Sequence, residues 1–289
     1  MNFQLFILKS IRLFIIISDK FSKRLTAKLL VNLFFRPKRH KHPMRELPFL
    51  ESAEKFTFQH NSIDVKGYKW GKISEKRVLL VHGWEGRATQ MYQFITPLLD
   101  QNYEVFSFDG IAHGFTAGKD TNMPEMSFLL KHMMNTYKID HIIAHSFGGM
   151  ASTFAIKSGV IKPKTVSFVG APYDIDYILE SFLSIFGLNG KYEEAIIQHV
   201  EKRVNLTYDK FQFDTYKKTT KTKLLLIHDE YDKEVLFSEM KKFLPMWEHV
   251  EQLITNGLGH RRILKEERVI SRICDFIGTT ERKVRQKGA

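Results

Sequence analysis

A nine-residue stretch near the middle of the chain, His141-Ile-Ile-Ala-His-Ser-Phe-Gly-Gly149, decides the fold class. Its first half is an apolar run typical of a buried strand, and helix-like sequence follows directly. Between them, Ser146 is flanked two residues away on each side by the small residues Ala144 and Gly148. A serine on a tight strand-to-helix turn needs small neighbours at those positions, because the strained backbone brings them together. The pattern therefore predicts a serine hydroxyl that is lifted above a sheet.

Short runs of β-branched, aliphatic and aromatic residues recur along the chain, and stretches with helical periodicity separate them. After a hairpin over residues 56–70, with its turn near His60 and Asn61, the strand-like runs are residues 77–81, 104–108, 141–144, 165–169, 224–227 and 251–254. The helix-like stretches are residues 89–100, 124–137, 149–157, 236–247 and 263–277. This alternation predicts a mostly parallel central sheet with helices on both faces.

The turn around Ser146 resembles the nucleophile elbow of the α/β-hydrolase superfamily, in which a serine stands between a strand and a helix. Ala144 occupies a position where the commonest form of that elbow has glycine, but alanine is still small. The resemblance covers about residues 55–278 and implies the α/β-hydrolase fold, with Ser146 as the nucleophile. It leaves the first 48 residues unexplained.

The loop after the strand over residues 77–81 begins Val81-His-Gly-Trp84. In the family, a His-Gly-x loop at this place helps to form the oxyanion hole, which binds the negative charge that develops on a substrate oxygen. The resemblance implies that the backbone N–H groups of Trp84 and Phe147 are the two donors, each typically worth about 3 kcal/mol in the transition state. We expect a structural role for His82.

The segment Phe108-Asp-Gly-Ile-Ala-His-Gly-Phe-Thr-Ala-Gly118 follows the next strand along the chain. It is similar to an Asp-x-x-x-His-Gly-x-Ser/Thr segment that many family members carry. There the aspartate and the histidine usually brace loops beside the site. We therefore expect Asp109 and His113 to support the site without taking part in the chemistry.

Three carboxylates, Asp229, Glu230 and Asp232, follow the strand over residues 224–227, where the family has the acid of its catalytic triad. The family pattern in this loop ends Asp-x-x-Val, which Asp232-Lys-Glu-Val235 matches. The resemblance therefore favours Asp232 as the acid and a loop-bracing role for Asp229. The choice between these two aspartates stays open at the level of the sequence.

The base is expected after the final strand, where the glycine-rich segment Asn256-Gly-Leu-Gly-His-Arg-Arg262 supplies His260. His260 lies 28 residues after Asp232, a usual gap for one intervening helix and strand. The chain order Ser146, Asp232, His260 is the order of the triad in this fold, and it differs from the orders in the two unrelated serine-protease folds.

These residues predict a serine hydrolase that cleaves a carboxylic ester or a related acyl bond through an acyl-enzyme on Ser146. A serine hydroxyl needs a base such as His260 within hydrogen-bond reach, and this chemistry requires no metal or organic cofactor. Other uses of the same triad, namely acyl transfer, amide hydrolysis or C–C bond hydrolysis, need no different residues. A noncatalytic binding protein on the same fold is a further alternative, which the presence of all three triad residues disfavours.

An aromatic-rich interval of about residues 172–221 separates two of the strands and predicts a small helical cap over the sheet. Its aromatic side chains favour an apolar small-molecule substrate, such as a carboxylic ester, an acylglycerol or a thioester, rather than a peptide. An alternative is that these side chains form the core of the cap itself.

The net charge of +12 is concentrated at the two ends of the chain. Residues 1–48 carry a net charge of +9 and the last nine residues +3, whereas residues 49–280 are neutral overall. This distribution argues against a nucleic-acid-binding face on the main domain. The single cysteine, Cys274, and the lack of a Cys/His ligand pattern exclude a disulfide scaffold and a structural zinc module.

The first 35 residues mix long apolar side chains with lysines and arginines near helical spacing, which predicts one or two amphipathic helices and no membrane span. Three interpretations stay open: packing on the main domain or on a partner subunit, peripheral binding to anionic lipid, and a cleaved export signal, which the lack of a small-residue cleavage site disfavours. Residues 36–48, rich in proline and basic residues, are predicted to be a linker.

The expected organisation is therefore a basic helical arm and linker over residues 1–48 and an α/β-hydrolase domain over residues 49–289. We expect a cytoplasmic protein of unknown oligomeric state. Contact of residues 1–35 with the inner face of a membrane stays an open alternative.

Overall fold

A computed structural model describes the backbone of residues 3–188, 190–216 and 221–288, and the side chains of residues 9–188, 190–216 and 221–281. Its centre is an eight-stranded sheet in the order β1-β2-β4-β3-β5-β6-β7-β8. The strands are β1 (Glu54–His60), β2 (Ile63–Trp70), β3 (Arg77–Val81), β4 (Glu104–Phe108), β5 (His141–His145), β6 (Thr165–Val169), β7 (Lys223–Asp229) and β8 (Val250–Thr255). All pairs from β4 to β8 are parallel, and β2 pairs antiparallel with β1 and β4.

The hairpin of β1 and β2 closes through the two residues Asn61 and Ser62, both at positive φ, 46° and 62°. Two successive residues at positive φ form the turn whose twist matches that of the flanking strands. The expected hairpin over residues 56–70, with its turn near Asn61, is therefore confirmed.

The main helices lie on both faces of the sheet. Neighbouring residues of a strand point to opposite faces, so a strand that is apolar throughout needs a helical layer on each side. Leu79 of β3, for example, belongs to one hydrophobic cluster and Leu80 to the other. The α-helices of the sheet domain are α3 (Leu47–Ser52), α4 (Ile95–Asp100), α5 (Met123–Tyr137), α6 (Phe147–Lys157), α9 (Phe237–Phe243), α10 (Gly259–Arg262) and α11 (Glu267–Gly288). The predicted mostly parallel sheet with two helical layers is confirmed.

Two of the expected helices are shorter than the sequence pattern indicated. Residues 88–94 form 3-10 turns, and α4 begins only at Ile95, so that Pro97 falls within its first turn, where proline is tolerated. Helix α9 ends at Phe243, and Pro245 follows in a 3-10 turn because it lacks the N–H that a further helical turn needs.

The chain between β6 and β7 carries two helices, α7 (Ile175–Phe186) and α8 (Glu193–Val204). We refer to residues 172–221 as the insertion. Its aromatic side chains lie in two overlapping environments: Phe213 is buried in the main core, Phe182 lines a cavity above the sheet, and Phe211 belongs to the core and also lines that cavity. Some of these aromatics therefore form a core, and others face a cavity.

The first residues form a helical hairpin, α1 (Phe3–Phe21) and α2 (Lys23–Phe34), which we call the arm. The side chain of Ser22 caps α2 by accepting a hydrogen bond from the Leu25 N–H. One face of the arm packs on the insertion in a third hydrophobic cluster, with members Ile15, Leu30, Val31, Phe35, Leu179, Leu183, Phe186, Leu188 and Ile196. Within the described residues, no helix has the length and apolarity required to cross a bilayer.

Residues 36–48 connect the arm to the sheet domain and are docked on that domain. The Arg39 guanidinium donates hydrogen bonds to the carbonyl oxygens of Gly114, Thr116 and Gly118. The Glu46 carboxylate, 3% exposed, accepts two hydrogen bonds from Arg87 at 2.6 and 3.0 Å. Residues 36–48 are therefore not a free segment, although their composition is typical of a flexible linker. Polar side chains such as Arg39 and Glu46 bind to the sheet domain.

Candidate active site

Ser146 lies between β5 and α6 with φ 51° and ψ −123°, a strained conformation for a residue with a side chain. A Cβ atom added to Gly148 would come within 2.6 Å of the His82 carbonyl oxygen and 2.7 Å of the Val81 carbonyl oxygen. Only glycine fits there, because the elbow brings α6 against the end of β3. The small residue that the sequence pattern singled out is thus required by a backbone contact.

His260 is buried on α10 and donates a hydrogen bond from Nδ1 to Oδ2 of Asp232 at 2.7 Å. The other oxygen of Asp232 accepts the backbone N–H groups of Glu234 at 2.8 Å and Val235 at 3.0 Å. Burial alone would raise the pKa of Asp232, but the hydrogen bond from His260 and these two N–H groups outweigh it and hold the pKa below its usual value. The carboxylate is therefore ionised at neutral pH.

Among the described residues, no hydrogen bond or ion pair joins Asp229 to His260, and Asp229 instead braces the loop before that histidine. Its Oδ2 accepts hydrogen bonds from Thr255 Oγ1 at 2.8 Å and from the Leu258 N–H at 2.9 Å. Its Oδ1 accepts the Tyr231 N–H at 3.0 Å. The two aspartates that compete in the sequence thus differ in their partners: Asp232 contacts the histidine, and Asp229 holds the backbone of β8 and the loop that follows.

The loop after β3 places Trp84 beside the elbow, with its ring 5.2 Å from the ring of Phe147. A Cβ atom added to Gly83 would lie 2.9 Å from His145 Nδ1 and 3.0 Å from Ser146 Cβ, so glycine is needed for this close approach. Within the part of the chain that the structure describes, the backbone N–H groups of Trp84 and Phe147 have no hydrogen-bond acceptor.

Two buried histidines brace this loop. His82 donates from Nδ1 to the Gly83 carbonyl oxygen and accepts the Gly110 N–H on Nε2. His113 accepts the Glu85 N–H at 3.1 Å. Burial lowers the pKa of His82 to about 4 and that of His113 to about 3, so both rings are neutral at pH 7. Their contacts agree with the bracing role that was expected of them.

Asp109 supports the same loop from the end of β4. Its carboxylate accepts the backbone N–H groups of Ala88 at 2.7 Å and Phe115 at 2.8 Å, and the hydroxyl of Tyr68 at 3.0 Å. Burial raises the pKa of Asp109 in spite of these hydrogen bonds. Asp109 therefore ties three separate segments together below the site.

Ser146, His260, Trp84 and Phe147 all line one cavity of about 590 Å³, a size typical of small-molecule sites. No hydrogen bond joins Ser146 to His260 among the described residues; in structures without substrate such bonds are often long and tighten in the complex. The rest of the lining is mostly aliphatic and aromatic. Among the described residues, no cluster of three or more His, Cys, Asp or Glu side chains is arranged to hold a metal ion.

A sequence model described as the alpha/beta hydrolase family matches residues 78–250 of the chain, more than half of its length. The chain belongs to the alpha/beta hydrolase family. The matched region contains Trp84, Ser146, Phe147 and Asp232, and it ends before His260. No curated protein matches the sequence.

Several solved structures are similar to this chain in fold at low sequence identity. An esterase of Pyrococcus furiosus is 20% identical, with a TM-score of 0.61 over 84% of this chain and 98% of that one. A bacterial membrane phospholipase A is 12% identical, with a TM-score of 0.63 over 96% of this chain and 99% of that one. A structure from a study of carboxylesterases of Nitrososphaera gargenis is 15% identical, with a TM-score of 0.58 over 80% and 100%.

Two supporting residues of this alpha/beta hydrolase were not recognised in its sequence. Gln90 accepts the Gly83 N–H on its side-chain oxygen at 3.0 Å, and so fixes the loop that carries Trp84. The buried ring of His145 donates from Nε2 to the His260 carbonyl oxygen at 2.9 Å, and burial lowers its pKa to about 3. Only the position of His145 next to the serine could have indicated its role, and Gln90 carries no local signal.

Proposed function

We propose that the protein is a serine hydrolase that cleaves a carboxylic ester or a related acyl bond through an acyl-enzyme on Ser146. The observation that carries the proposal is the hydrogen-bonded pair of His260 and Asp232 at the cavity into which Ser146 also opens. Family membership and the esterase and phospholipase folds named above support the same reaction class.

In the proposed mechanism, His260 takes the proton of the Ser146 hydroxyl as that oxygen attacks the carbonyl carbon of the substrate. The ionised Asp232 keeps the proton of the imidazole on Nδ1, which leaves Nε2 free to act as the base, and it stabilises the imidazolium that forms. His260 then returns the proton to the leaving alcohol. A water molecule, activated in the same way, hydrolyses the acyl-enzyme.

The N–H groups of Trp84 and Phe147 are the proposed donors to the tetrahedral oxyanion. Both are backbone groups that the described residues leave without an acceptor, so they need not break another hydrogen bond to bind the substrate oxygen. Gln90 and the neutral His82 and His113 keep the loop of Trp84 in place before the substrate arrives. Such preorganised donors stabilise charge without reorganisation at the moment of reaction.

The substrate that the cavity favours is an apolar small molecule, because most of its wall is aliphatic and aromatic. A carboxylic ester, an acylglycerol or a thioester would place its acyl carbon at Ser146 and its apolar part against that wall. Acyl transfer would use the same residues with an alcohol or thiol in place of water.

The test is labelling of the serine with a fluorophosphonate, followed by intact-mass measurement. We expect one label on the wild type and none on Ser146→Ala, with a strongly reduced rate for His260→Ala. Ser181→Ala is the matched control: Ser181 lines the same cavity, and among the described residues no hydrogen bond joins its hydroxyl to a histidine, so its removal should leave labelling unchanged. A folded wild type that takes no label would favour a noncatalytic binding protein.

We further propose that the arm contacts an anionic membrane surface. The outer face of the arm exposes the apolar side chains Leu13, Phe14, Ile16, Ile17, Phe21 and Leu25. Exposed basic residues flank them: Lys9, Arg12, Lys20, Lys23, Arg24 and Lys28. A helix with this pattern binds at a lipid interface through apolar burial and attraction to anionic headgroups. The aligned membrane phospholipase A covers 96% of the chain, and therefore most of the arm.

Sedimentation with vesicles tests this contact. Phe21→Ser should weaken binding to vesicles that contain phosphatidylglycerol, whereas Ile73→Ser should not. The two residues are equally exposed, at 84%, but Ile73 lies in the loop between β2 and β3 and does not belong to the arm. Equal binding of both variants would argue against the arm as the lipid-binding element.

A further inference from the structure

The cavity above Ser146 is closed on one side by the arm. Its wall there includes Leu33 and Phe34 at the end of α2 and Phe35 directly after it, together with Ile11 of α1 and Arg36. Side chains of the insertion, among them Ile178 and Phe182 of α7, form a second wall, which meets the first where Phe34 contacts Phe182. The space between the two walls is continuous with the space at the serine, because all of these residues line the same cavity.

Contacts with both neighbours hold this part of the arm in place. The ring of Phe34 packs edge-on against Phe182 of the insertion at 5.1 Å and against Phe35 at 5.3 Å. The carbonyl oxygen of Phe35 accepts the Thr121 N–H at 2.9 Å, and the Arg203 guanidinium lies 4.8 Å from the centre of its ring. The end of α2 is thus anchored to the sheet domain and to α8 at once.

Polar groups are few between the walls. Three charged side chains line the cavity outside the proposed catalytic residues: Arg36 is exposed, Glu85 is paired with His40 at 3.0 Å, and Glu234 is paired with Arg261 at 3.0 and 3.1 Å. An ionic or strongly polar substrate group would therefore find few partners between the arm and the insertion. An unbranched apolar chain fits this lining without leaving buried polar groups unpaired.

We propose that the space between the end of α2 and the insertion is the acyl-chain subsite, and that Leu33, Phe34 and Phe35 of the arm set the acyl-chain preference. The proposal rests on the proposed hydrolase function and names its substrate class: esters with an unbranched acyl chain of medium length. Each methylene that enters the subsite raises kcat/KM by about fourfold.

The experiment compares p-nitrophenyl acetate, butyrate and octanoate in the full-length protein without membranes. Leu33→Trp fills the subsite, and we expect kcat/KM for the octanoate to fall by at least about tenfold, as exclusion of two methylenes requires. The acetate should change by less than about twofold, because its chain does not reach the arm. Asn32→Trp is the matched control, since Asn32 is exposed on the same helix, next to Leu33, and does not line the cavity.

Phe34→Ala is the second variant, in case Leu33→Trp lowers the yield of folded protein. It removes contacts between the acyl chain and the arm, so kcat/KM should increase less from the acetate to the octanoate. The value of kcat/KM for the acetate itself should stay the same. An equal loss for both esters would show that the arm is only structural, and an unchanged chain-length profile in both variants would place the subsite elsewhere.

A binding measurement separates this proposal from the hydrolase function itself. Ser146→Ala cannot form an acyl-enzyme, but its subsite is intact and should bind the fluorescent fatty acid cis-parinaric acid. Adding Leu33→Trp should weaken that binding about tenfold, and adding Asn32→Trp should not. Loss of binding with Leu33→Trp would support the subsite even if the wild type hydrolyses no ester. Equal binding by both double variants would overturn it.

Discussion

Replacement of Asp232 by asparagine distinguishes the role of Asp232 from that of Asp229, the last residue of β7. In the structure, Asp232 Oδ2 accepts the Nδ1–H of His260 at 2.7 Å, which places the single ring proton of the neutral imidazole on Nδ1. An asparagine amide can donate to Nδ1 instead. The proton then moves to Nε2, and the histidine can no longer act as a base toward Ser146.

The expected loss for Asp232→Asn is about ten-thousandfold in kcat, the effect of the wrong tautomer in a serine triad. This corresponds to about 5.4 kcal/mol of transition-state stabilisation. Asp229→Asn is the matched variant, with the same chemical change three residues earlier in the chain. It weakens the hydrogen bonds to Thr255 and Leu258, so we expect a loss of about 1–3 kcal/mol in the free energy of unfolding and less than about tenfold in kcat.

The assay measures kcat for a soluble p-nitrophenyl ester together with the thermal unfolding midpoint of each variant. A ten-thousandfold loss in Asp229→Asn, with Asp232→Asn close to wild type, would refute the assignment of Asp232 as the acid. Equal, modest losses in both variants would refute the tautomer argument, because a merely structural carboxylate does not switch off the base.

Three further predictions concern groups outside the proposed triad. Gln90→Ala leaves the Gly83 N–H without its acceptor, so kcat for a soluble ester should fall by about two- to tenfold with little change in KM. Glu46→Gln removes one charge of a buried ion pair and should lower the free energy of unfolding by about 3 kcal/mol, measured by urea denaturation. The hydrogen bond from His141 is the main reason why the pKa of Glu281 falls from its ordinary value of 4.5 to about 2. The stabilisation from Glu281 is therefore present above pH 4.5 and is lost as the pH falls toward about 2, so the difference in unfolding midpoint between wild type and Glu281→Gln should vanish over that range.

The strands could be placed from the sequence because each buried strand is a short apolar run. A helix of so few residues would not be stable by itself. Both faces of β5, for example, are covered, and its five residues are all buried. Helix lengths were less predictable. Proline lacks the backbone N–H that a helical hydrogen bond needs, so Pro97 limits where α4 begins and Pro245 limits where α9 ends. The apolar periodicity of the sequence continues past both prolines and does not show these limits.

The sequence alone determined the fold class and the identity of the elbow, since small residues on both sides of Ser146 are a local requirement of the backbone. It also placed candidate acids and a candidate base in the chain order of the fold. Tertiary structure decided which aspartate faces His260, because Asp229 at the end of β7 and Asp232 just after it are close in the chain and differ in the partners of their side chains. It likewise decided that the arm forms a wall of the cavity. Contacts such as that of Phe34 with Phe182 join residues far apart in the chain, and no local pattern records which distant surface an amphipathic helix will cover.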